Sequence, residues 1–260
     1  MNNLKLSSII FIIFTYCLGL YGLYSLILNF EHVSIYFLLF NLIYYCYTNI
    51  SFTVGWHRYF VHKAFKTNKI IEWILFLGGA SIFIGSLVEW IQDHYNHHKH
   101  LNTEEDPTNI NKGFIYSHIL WALSERPLQL SIKNKLFKNW HDYYLVYAVL
   151  SGLIFPVSIS YLISQDFWLS LSISFGLRVM ISQNIIGLLG SYCHRTGSEM
   201  SLDSHLISIL CFGEGYQKYH HEFPGDYRNG IHLYSFDPSK WIIFIMKKLR
   251  IASDLRERSQ

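Results

Sequence analysis

The chain has 260 residues, of which 51% are hydrophobic and 17% aromatic but only 15% charged. This balance is too apolar for an ordinary soluble protein and indicates an integral membrane protein. The net charge of +3 is small, and Lys and Arg are spread through the polar segments rather than concentrated in an arm. We therefore expect a lipid bilayer as the environment and no nucleic acid as a partner.

Two long apolar segments, residues 7–30 and 34–55, open the chain and are separated by a tight link at Glu31 and His32. Each is long enough to cross a hydrocarbon core of roughly 30 Å as a helix. The first exceeds the apolar region of a signal peptide and follows a segment with Lys5 as its only charge, so we interpret it as a membrane span. Together they predict a helical hairpin.

A second pair of apolar segments, residues 143–163 and 167–192, predicts a second hairpin. Neither hairpin link contains Lys or Arg, whereas the polar segments 57–140 and 193–260 are rich in both. Because cytoplasmic loops carry the excess of these residues, we predict that both termini are cytoplasmic. Either a bacterial inner membrane or the endoplasmic reticulum fits this topology.

The apolar run at residues 70–90 is interrupted by glycines, and a span here would invert every later segment. We expect it to lie in the interface or to pack on the bundle. The predicted fold is therefore all-α and integral to the membrane, with four transmembrane helices in two hairpins. Residues 1–260 would form a single domain, in which residues 56–142 and 193–260 make a cytoplasmic helical cap.

Fourteen histidines are the most informative polar residues, because such side chains are costly in a lipid-embedded chain unless they have partners. Eight occur in clusters that the predicted topology places at one membrane face: His57, His62, His94, His97, His98, His194, His220 and His221. Helical residues spaced i, i+3 and i+4 share a face, so the triplet that begins at His94 would present three rings to one spot. The others are expected at the surface or in structural hydrogen bonds: His32, His100, His118, His141, His205 and His232.

Neutral imidazole is a ligand for iron, zinc, copper and nickel. Eight ring nitrogens exceed the coordination shell of one ion, and the four cysteines form no Cys-x-x-Cys pair. This donor set predicts a site for two metal ions and favours redox-active iron over structural zinc. One His-x4-His pair could be a structural feature of the interface, but three clusters on one face argue against that explanation.

The histidines belong to longer motifs. The first two are His57-Arg58-x-x-x-His62 and Glu89-Trp90-x-x-Asp93-His94-x-x-His97-His98-Lys99, leading into Asp106-Pro107-x-Asn109. The third comprises Gly213-Glu214-Gly215-Tyr216, His220-His221-Glu222-Phe223-Pro224 and Asp226-Tyr227-Arg228-Asn229-Gly230. In these motifs and in its hairpins, the chain resembles the membrane fatty-acyl desaturases of the stearoyl-CoA type, from about residue 35 to 250.

This resemblance implies an enzyme that uses two iron ions, with O2 as co-substrate, to introduce a cis double bond into a saturated acyl chain. The expected substrate is an acyl-CoA, the expected position delta-9, and the eight clustered histidines are the implied ligands of the catalytic di-metal site. The chain has no haem motif, no iron–sulfur cysteine spacing and no nucleotide-binding glycine loop. A separate electron-transfer protein is therefore expected.

Supporting roles follow from charge and position. Acidic groups are expected to hydrogen bond to ligand rings: Asp93, Asp106, Glu214 and Asp226. Basic groups are candidates to contact the substrate headgroup, with solvated surface charge as the alternative: Arg58, Lys99, Lys112 and Arg228. Arg178 lies in the fourth span, where charge is expensive, and is expected to face the bundle interior as structural support.

Two positions depart from the family pattern. Gln217 stands where the third motif usually begins with histidine, and Gly190 stands where an asparagine usually precedes the last-span histidine. The Gln217 oxygen is a candidate ligand, as in the Gln-x-x-His-His variant of the front-end desaturases, and a water held by Ser191 could replace the asparagine. A di-iron lipid hydroxylase and a non-catalytic lipid- or metal-binding relative remain alternative functions.

Overall fold

The computed structural model describes residues 5–195 and 201–258. Its helices, in chain order, are α1 (Leu6–Leu28), α2 (Ile35–Val61), α3 (Lys69–Ala80), α4 (Leu87–Lys99), α5 (Phe114–His118), α6 (Lys135–Asp142), α7 (Tyr144–Ser164), α8 (Phe167–His194), α9 (His205–Leu210), α10 (Gln217–Glu222) and α11 (Pro238–Lys248). Helices α1, α2, α7 and α8 are long and apolar enough to cross a membrane. The four predicted spans are thereby confirmed.

Local polar residues determine where the hairpins turn. Ser34 caps α2 by accepting a hydrogen bond from the amide of Tyr36 (3.3 Å), and Asp166 caps α8 through the amide of Leu169 (2.9 Å). These side chains satisfy amides that the first turn of a helix leaves unpaired. Gln165 ends α7 in a left-handed conformation with φ of 55°, so the chain reverses within the link.

Two of the spans continue as helix beyond the cap boundaries predicted at residues 56 and 193. The end of α2, Ser51–Val61, is a continuous π-helix, so His57 lies in the final turns of this span, and His194 lies in the last turn of α8. The polar side chains of His57 and Arg58 are buried with partners, and they therefore fit within the helix.

Close packing of small residues joins α1 to α8. A Cβ atom added to Gly22 would lie 2.9 Å from the backbone of Ser172, and one added to Gly176 would lie 2.8 Å from the backbone of Gly19. Only glycine permits this approach, which is the usual way for membrane helices to gain contact without a hydrophobic driving force.

The cap packs on the ends of the spans through an aromatic core. Phe76 of α3 stacks on Trp140 of α6 with ring centroids 4.2 Å apart, and Trp56 of α2 lies parallel to Phe76 at 6.5 Å. Helix α3 therefore packs on the bundle, as expected for the apolar run at 70–90. Two short strands, β1 (Lys66–Thr67) and β2 (Ala252–Ser253), pair antiparallel and attach the chain after α11 to the segment after α2.

Arg178 occupies the bundle interior, as expected. Its guanidinium donates to the carbonyl oxygens of Ser174 (2.8 Å) and Ser81 (2.9 Å) and lies 5.3 Å from the ring centroid of Tyr44. These contacts join α8 to the end of α3 and compensate the cost of a buried charge.

Candidate metal centre

Five imidazole rings from α2, α4, α10 and the residue after α2 converge on one point. We call them the first imidazole group: His57, His62, His94, His98 and His220. The Nε2 atom of His57 lies 3.1 Å from that of His94 and 3.0 Å from that of His220. The Nε2 atom of His98 lies 3.0 Å from the same two nitrogens. These nitrogens surround a space suited to a metal ion.

Three further rings form the second imidazole group: His97, His194 and His221. The Nε2 atom of His221 lies 3.3 Å from that of His97 and 3.1 Å from that of His194. Neighbouring residues thus point to different groups, because His97 and His98 diverge on α4 and His220 and His221 diverge on α10. The two groups adjoin, with the ring centroids of His98 and His221 4.3 Å apart.

Hydrogen-bond acceptors behind the rings determine which nitrogen faces inward. The Nδ1 atom of His57 lies 2.7 Å from Glu214 Oε2, and that of His97 lies 3.0 Å from Asp106 Oδ1. The Nδ1 atom of His194 lies 2.8 Å from the carbonyl oxygen of Leu189. A proton on each Nδ1 satisfies these acceptors and leaves the Nε2 lone pair directed at the other rings. Lone pairs that converge in this way could hold a metal cation.

The charge state of the rings agrees with this arrangement. Burial, reinforced by neighbouring rings, lowers the pKa of His62, His94 and His220 well below the usual value, and lowers that of His98 to about 2. These rings are therefore neutral near pH 7 and offer a lone pair, which is the form that binds metal.

Glu214 is the central carboxylate behind the first imidazole group. It is fully buried, accepts hydrogen bonds from Arg58 Nε (3.0 Å) and Asn229 Nδ2 (2.7 Å), and lies beside His57. Burial alone would raise its pKa, but His57 and Arg58 more than offset this effect and hold the pKa below its usual value. Arg58 also contacts both oxygens of Asp237, at 2.9 and 3.2 Å.

Asp106 has the corresponding role behind the second group. Besides His97, it accepts hydrogen bonds from the backbone amides of Asn102 (2.9 Å) and Thr108 (2.8 Å). Burial would raise its pKa, but the bond to His97 and these amides together lower it. Asp106 is therefore a carboxylate that can orient His97.

The other two predicted carboxylates bind arginines instead of the ligand rings. Asp93 binds Arg126 through Nε (3.0 Å) and Nη2 (2.9 Å), and burial nevertheless raises its pKa. Asp226 accepts hydrogen bonds from Arg228 Nη2 (2.8 Å) and Tyr219 (2.8 Å). Each of these two carboxylates accepts hydrogen bonds from a nearby guanidinium instead of from a ring of either imidazole group.

Of the four predicted headgroup residues, one is too buried for that role and the other three reach the surface. Arg58 is only 1% exposed and is held by two carboxylates, so it cannot contact a headgroup in solvent. Lys112 pairs with Glu104 at 3.1 Å, while Arg228 pairs with Asp226. Lys99 is exposed at the surface.

A cavity opens beside both imidazole groups. Its walls combine rings of both groups with apolar, hydroxyl and acidic side chains: Phe52, His57, Trp90, Asp93, His94, His97, Thr108, Ser117, Trp121, Ile186, Leu189, Gly190, His194 and Gln217. Arg126 contacts two of these wall residues, because it binds Asp93 and its guanidinium lies 4.8 Å from the ring centroid of Trp121. Sequence reasoning missed Arg126, since only the fold brings it next to Asp93.

The two unusual positions, Gln217 and Gly190, both line this cavity. The Gln217 amide nitrogen donates to the carbonyl of Glu214 (2.6 Å), which leaves its oxygen at the opposite end of the amide group. Ser191 does not have the expected position, because its hydroxyl donates to the Gly187 carbonyl (2.8 Å) away from the cavity wall.

Hydroxyl groups beside Gly190 come instead from Ser117 and Thr108. Ser117 Oγ lies 2.7 Å from the Gly190 carbonyl oxygen and 2.6 Å from that of Thr108, whose own hydroxyl lies 2.8 Å from His97 Nδ1. A water beside the second group would therefore meet these two side chains.

The six remaining histidines lie outside both imidazole groups, as expected. His118 bonds to Ser191 (3.0 Å), His141 to Ser86 (2.8 Å), His205 to Tyr216 (2.9 Å) and His100 to Glu105 (2.8 Å), while His32 and His232 are exposed. Their contacts are structural.

Comparison with known proteins identifies the family to which the chain belongs. The family model described as fatty acid desaturase matches residues 32–241. The chain belongs to the fatty acid desaturase family. The match covers both imidazole groups and the spans α2, α7 and α8 but begins after α1, and it confirms the resemblance found in the motifs.

Individual desaturases show how far the similarity extends. The chain is 33% identical to the probable acyl-CoA desaturase of Schizosaccharomyces pombe over 84% of this chain and 48% of that protein. It is 27% identical to delta-9 acyl-lipid desaturase 1 of Arabidopsis thaliana (84% and 75%) and 28% identical to acyl-CoA delta(11) desaturase of Spodoptera littoralis (81% and 66%). The chain spans about half the length of the fungal relatives it matches. The relatives' names differ in acyl carrier and in double-bond position.

Proposed function

We propose that this chain is an O2-dependent fatty-acyl desaturase that introduces a cis double bond, at the delta-9 position, into a saturated chain carried as a CoA thioester. The cavity supports this proposal most directly, because it joins rings of both imidazole groups to apolar walls such as Phe52, Ile186 and Leu189. Apolar walls suit a methylene chain. The site and both termini would lie on the cytoplasmic side of the membrane.

Each imidazole group is proposed to hold one iron ion, and the Gln217 oxygen is a further candidate ligand of the second. The described residues fit this assignment, because neutral ring nitrogens converge in two places and neither group contains a thiolate. When bound, the two irons supply the O2-dependent oxidation that side chains cannot perform. Glu214 and Asp106 orient the rings through their Nδ1 protons.

The electron balance requires a partner. Breaking two C–H bonds on adjacent carbons and forming C=C releases two electrons and two protons. Reduction of O2 to two waters takes four electrons and four protons, so two of each must come from elsewhere. The sequence carries no recognisable electron-carrier motif, and we therefore assign this supply to a separate electron-transfer protein.

The chain's own residues position the substrate and exclude water. The ring of Trp90 stacks on His94 with centroids 5.5 Å apart and meets Phe52 edge-on at 5.0 Å. These rings fix one wall of the cavity beside the first imidazole group. An acyl chain along this wall would present its methylenes to the site without water between them.

Expression in a desaturase-deficient host, followed by fatty-acid analysis with location of the double bond, tests the proposal. We expect a new unsaturated product without added oxygen. A hydroxylated lipid would contradict desaturation and support the hydroxylase alternative. Failure of the purified, iron-loaded protein to consume O2 with an electron donor and acyl-CoA would instead support the non-catalytic alternative.

Lys99 is proposed to bind the anionic headgroup of the substrate, because it is exposed and directly follows His98 on α4. We expect Lys99→Gln to raise the KM for acyl-CoA about tenfold or more with a smaller change in kcat, because a hydrogen bond to a charged group contributes about 1.5–3 kcal/mol. Steady-state kinetics with acyl-CoA would measure this split. Lys133→Gln removes an exposed cation outside α4 and is the matched control. An equal KM in both variants would contradict the assignment.

Gln217 provides a separate test of the second imidazole group. We expect Gln217→Ala to weaken iron binding at this group by about tenfold or more, because three imidazoles then remain as candidate protein ligands. Iron per chain, measured after dialysis against increasing chelator, would report the loss. Lys218→Ala, at the adjacent exposed position, is the control. If both variants retain iron as well as wild type, Gln217 is not a ligand.

A further inference from the structure

Helix α9 and residues 231–236 form an apolar surface that we call the α9 ledge. Leu206 and Ile209 are 65% and 55% exposed, and Leu233 is 98% exposed. Neither segment contains Lys, Arg, Asp or Glu. Contiguous apolar surface of this kind indicates a binding surface, because exposing it to water is unfavourable.

The two segments are held together as one structure. Ser208 Oγ of α9 donates to the carbonyl of Phe236 (2.8 Å), and the rings of His205 and Tyr234 lie 6.3 Å apart. Lys240 Nζ donates to the carbonyl of His232 (3.0 Å) and fixes the loop from its other side. Their exposed apolar side chains therefore belong to one organised surface.

The opposite face of α9 and the residues after it pack on the spans. Cys211 Sγ lies 3.4 Å from the carbonyl oxygen of Ile185 in α8, and the ring of Phe212 lies 5.9 Å from that of Tyr45 in α2. The two spans contact each other at this level, since Asn49 Nδ2 of α2 donates to Ser182 Oγ of α8 (3.0 Å). The ledge is thus attached to the sides of the spans rather than only to their ends.

The distance of these contacting residues from the start of each span indicates how deep in the membrane they lie. With a rise of 1.5 Å per residue, Tyr45 lies roughly 15 Å from the start of α2 at Ile35, and Ile185 roughly 27 Å from the start of α8 at Phe167. Both values are smaller than the roughly 30 Å thickness of a hydrocarbon core. The exposed apolar surface also continues along the spans, at Leu42. Lipid, which surrounds the spans, would therefore also reach the ledge at this depth.

We propose that the α9 ledge is embedded in the lipid leaflet on the side of the imidazole groups, with acyl chains as its partner. The ledge leads directly into residues 211–216 and then α10, which carries His220 and His221. Embedding it fixes the depth of these two rings relative to the lipid surface. This inference is independent of the chain's catalytic activity.

Nitroxide labels test the proposal in the full chain reconstituted into phosphatidylcholine vesicles. Labels are attached at Leu206→Cys and Leu233→Cys, in a background in which Cys17 and Cys46, the two cysteines that are not buried, are replaced by alanine. Collisions with O2, which partitions into lipid, are compared with those of a water-soluble nickel chelate. Leu20→Cys in α1 provides the lipid reference, and Lys218→Cys provides the water reference.

We expect both ledge labels to resemble the label at position 20, with a several-fold excess of O2 collisions over chelate collisions. Labels that resemble position 218 would overturn the proposal by placing the ledge in water. Labels shielded from both reagents would overturn it as well, because protein rather than lipid would then cover the surface.

Discussion

Replacing Glu214 with glutamine is expected to weaken metal binding at the first imidazole group and to destabilise the cap. The change removes a fully buried negative charge that lies beside His57 Nδ1 and neutralises Arg58. Breaking a buried ion pair costs about 3–5 kcal/mol, and loss of the carboxylate behind a ligand ring lowers metal affinity about 10–100-fold. Iron per chain and the unfolding temperature would measure both effects.

The same variant has a defined dependence on pH. Because the pKa of Glu214 is held below its usual value of 4.5, the carboxylate stabilises the fold above that pH and loses this contribution as the pH falls through the lowered pKa. The difference in unfolding temperature between wild type and Glu214→Gln should therefore be constant near neutrality and shrink below about pH 4.5. Because glutamine has nearly the same shape as glutamate, the part of the stability difference that depends on pH reports the charge of Glu214.

Glu222→Gln is the matched control, because Glu222 is an exposed carboxylate in the same motif. It should leave iron content and unfolding temperature unchanged. If Glu214→Gln behaves in the same way, the buried carboxylate neither orients His57 nor balances Arg58, and its position would have no functional consequence.

The sequence predicted the histidine clusters because their information is local. The i, i+3 and i+4 spacing from His94 places three rings on one helix face, and apolar length alone located the four spans. Which ring joins which group is not local. His97 and His98 differ in direction by about 100° around α4, and only the placement of α10 and α8 decides their partners.

Charged residues were harder to assign for a related reason. Arg58 is predicted to contact a headgroup and Asp93 a ligand ring, but each meets a distant partner: Asp237 for the first and Arg126 for the second. Pairing between residues far apart in the chain leaves no periodic signal. Of the four carboxylates predicted to bond to rings, Glu214 and Asp106 therefore lie beside rings, whereas the other two bind arginines.

The separation of the two imidazole groups leads to the second large expected effect. His220→Ala should remove the ion of the first group, and His221→Ala should remove the ion of the second, because adjacent rings on α10 point to different groups. Each variant should retain about one of two irons and lose more than about 100-fold in activity, since even a residue behind a ligand contributes 10–100-fold.

X-ray absorption at the iron edge distinguishes the two variants. The iron left in His221→Ala would be surrounded by the five imidazoles of the first group, whereas the iron left in His220→Ala would have three. Imidazole scattering should therefore be stronger in His221→Ala. His205→Ala, which removes a ring bonded to Tyr216 outside both groups, should keep both irons. Loss of both irons from either ligand variant, or identical spectra from the two, would mean that the rings form one interdependent cluster instead of two sites.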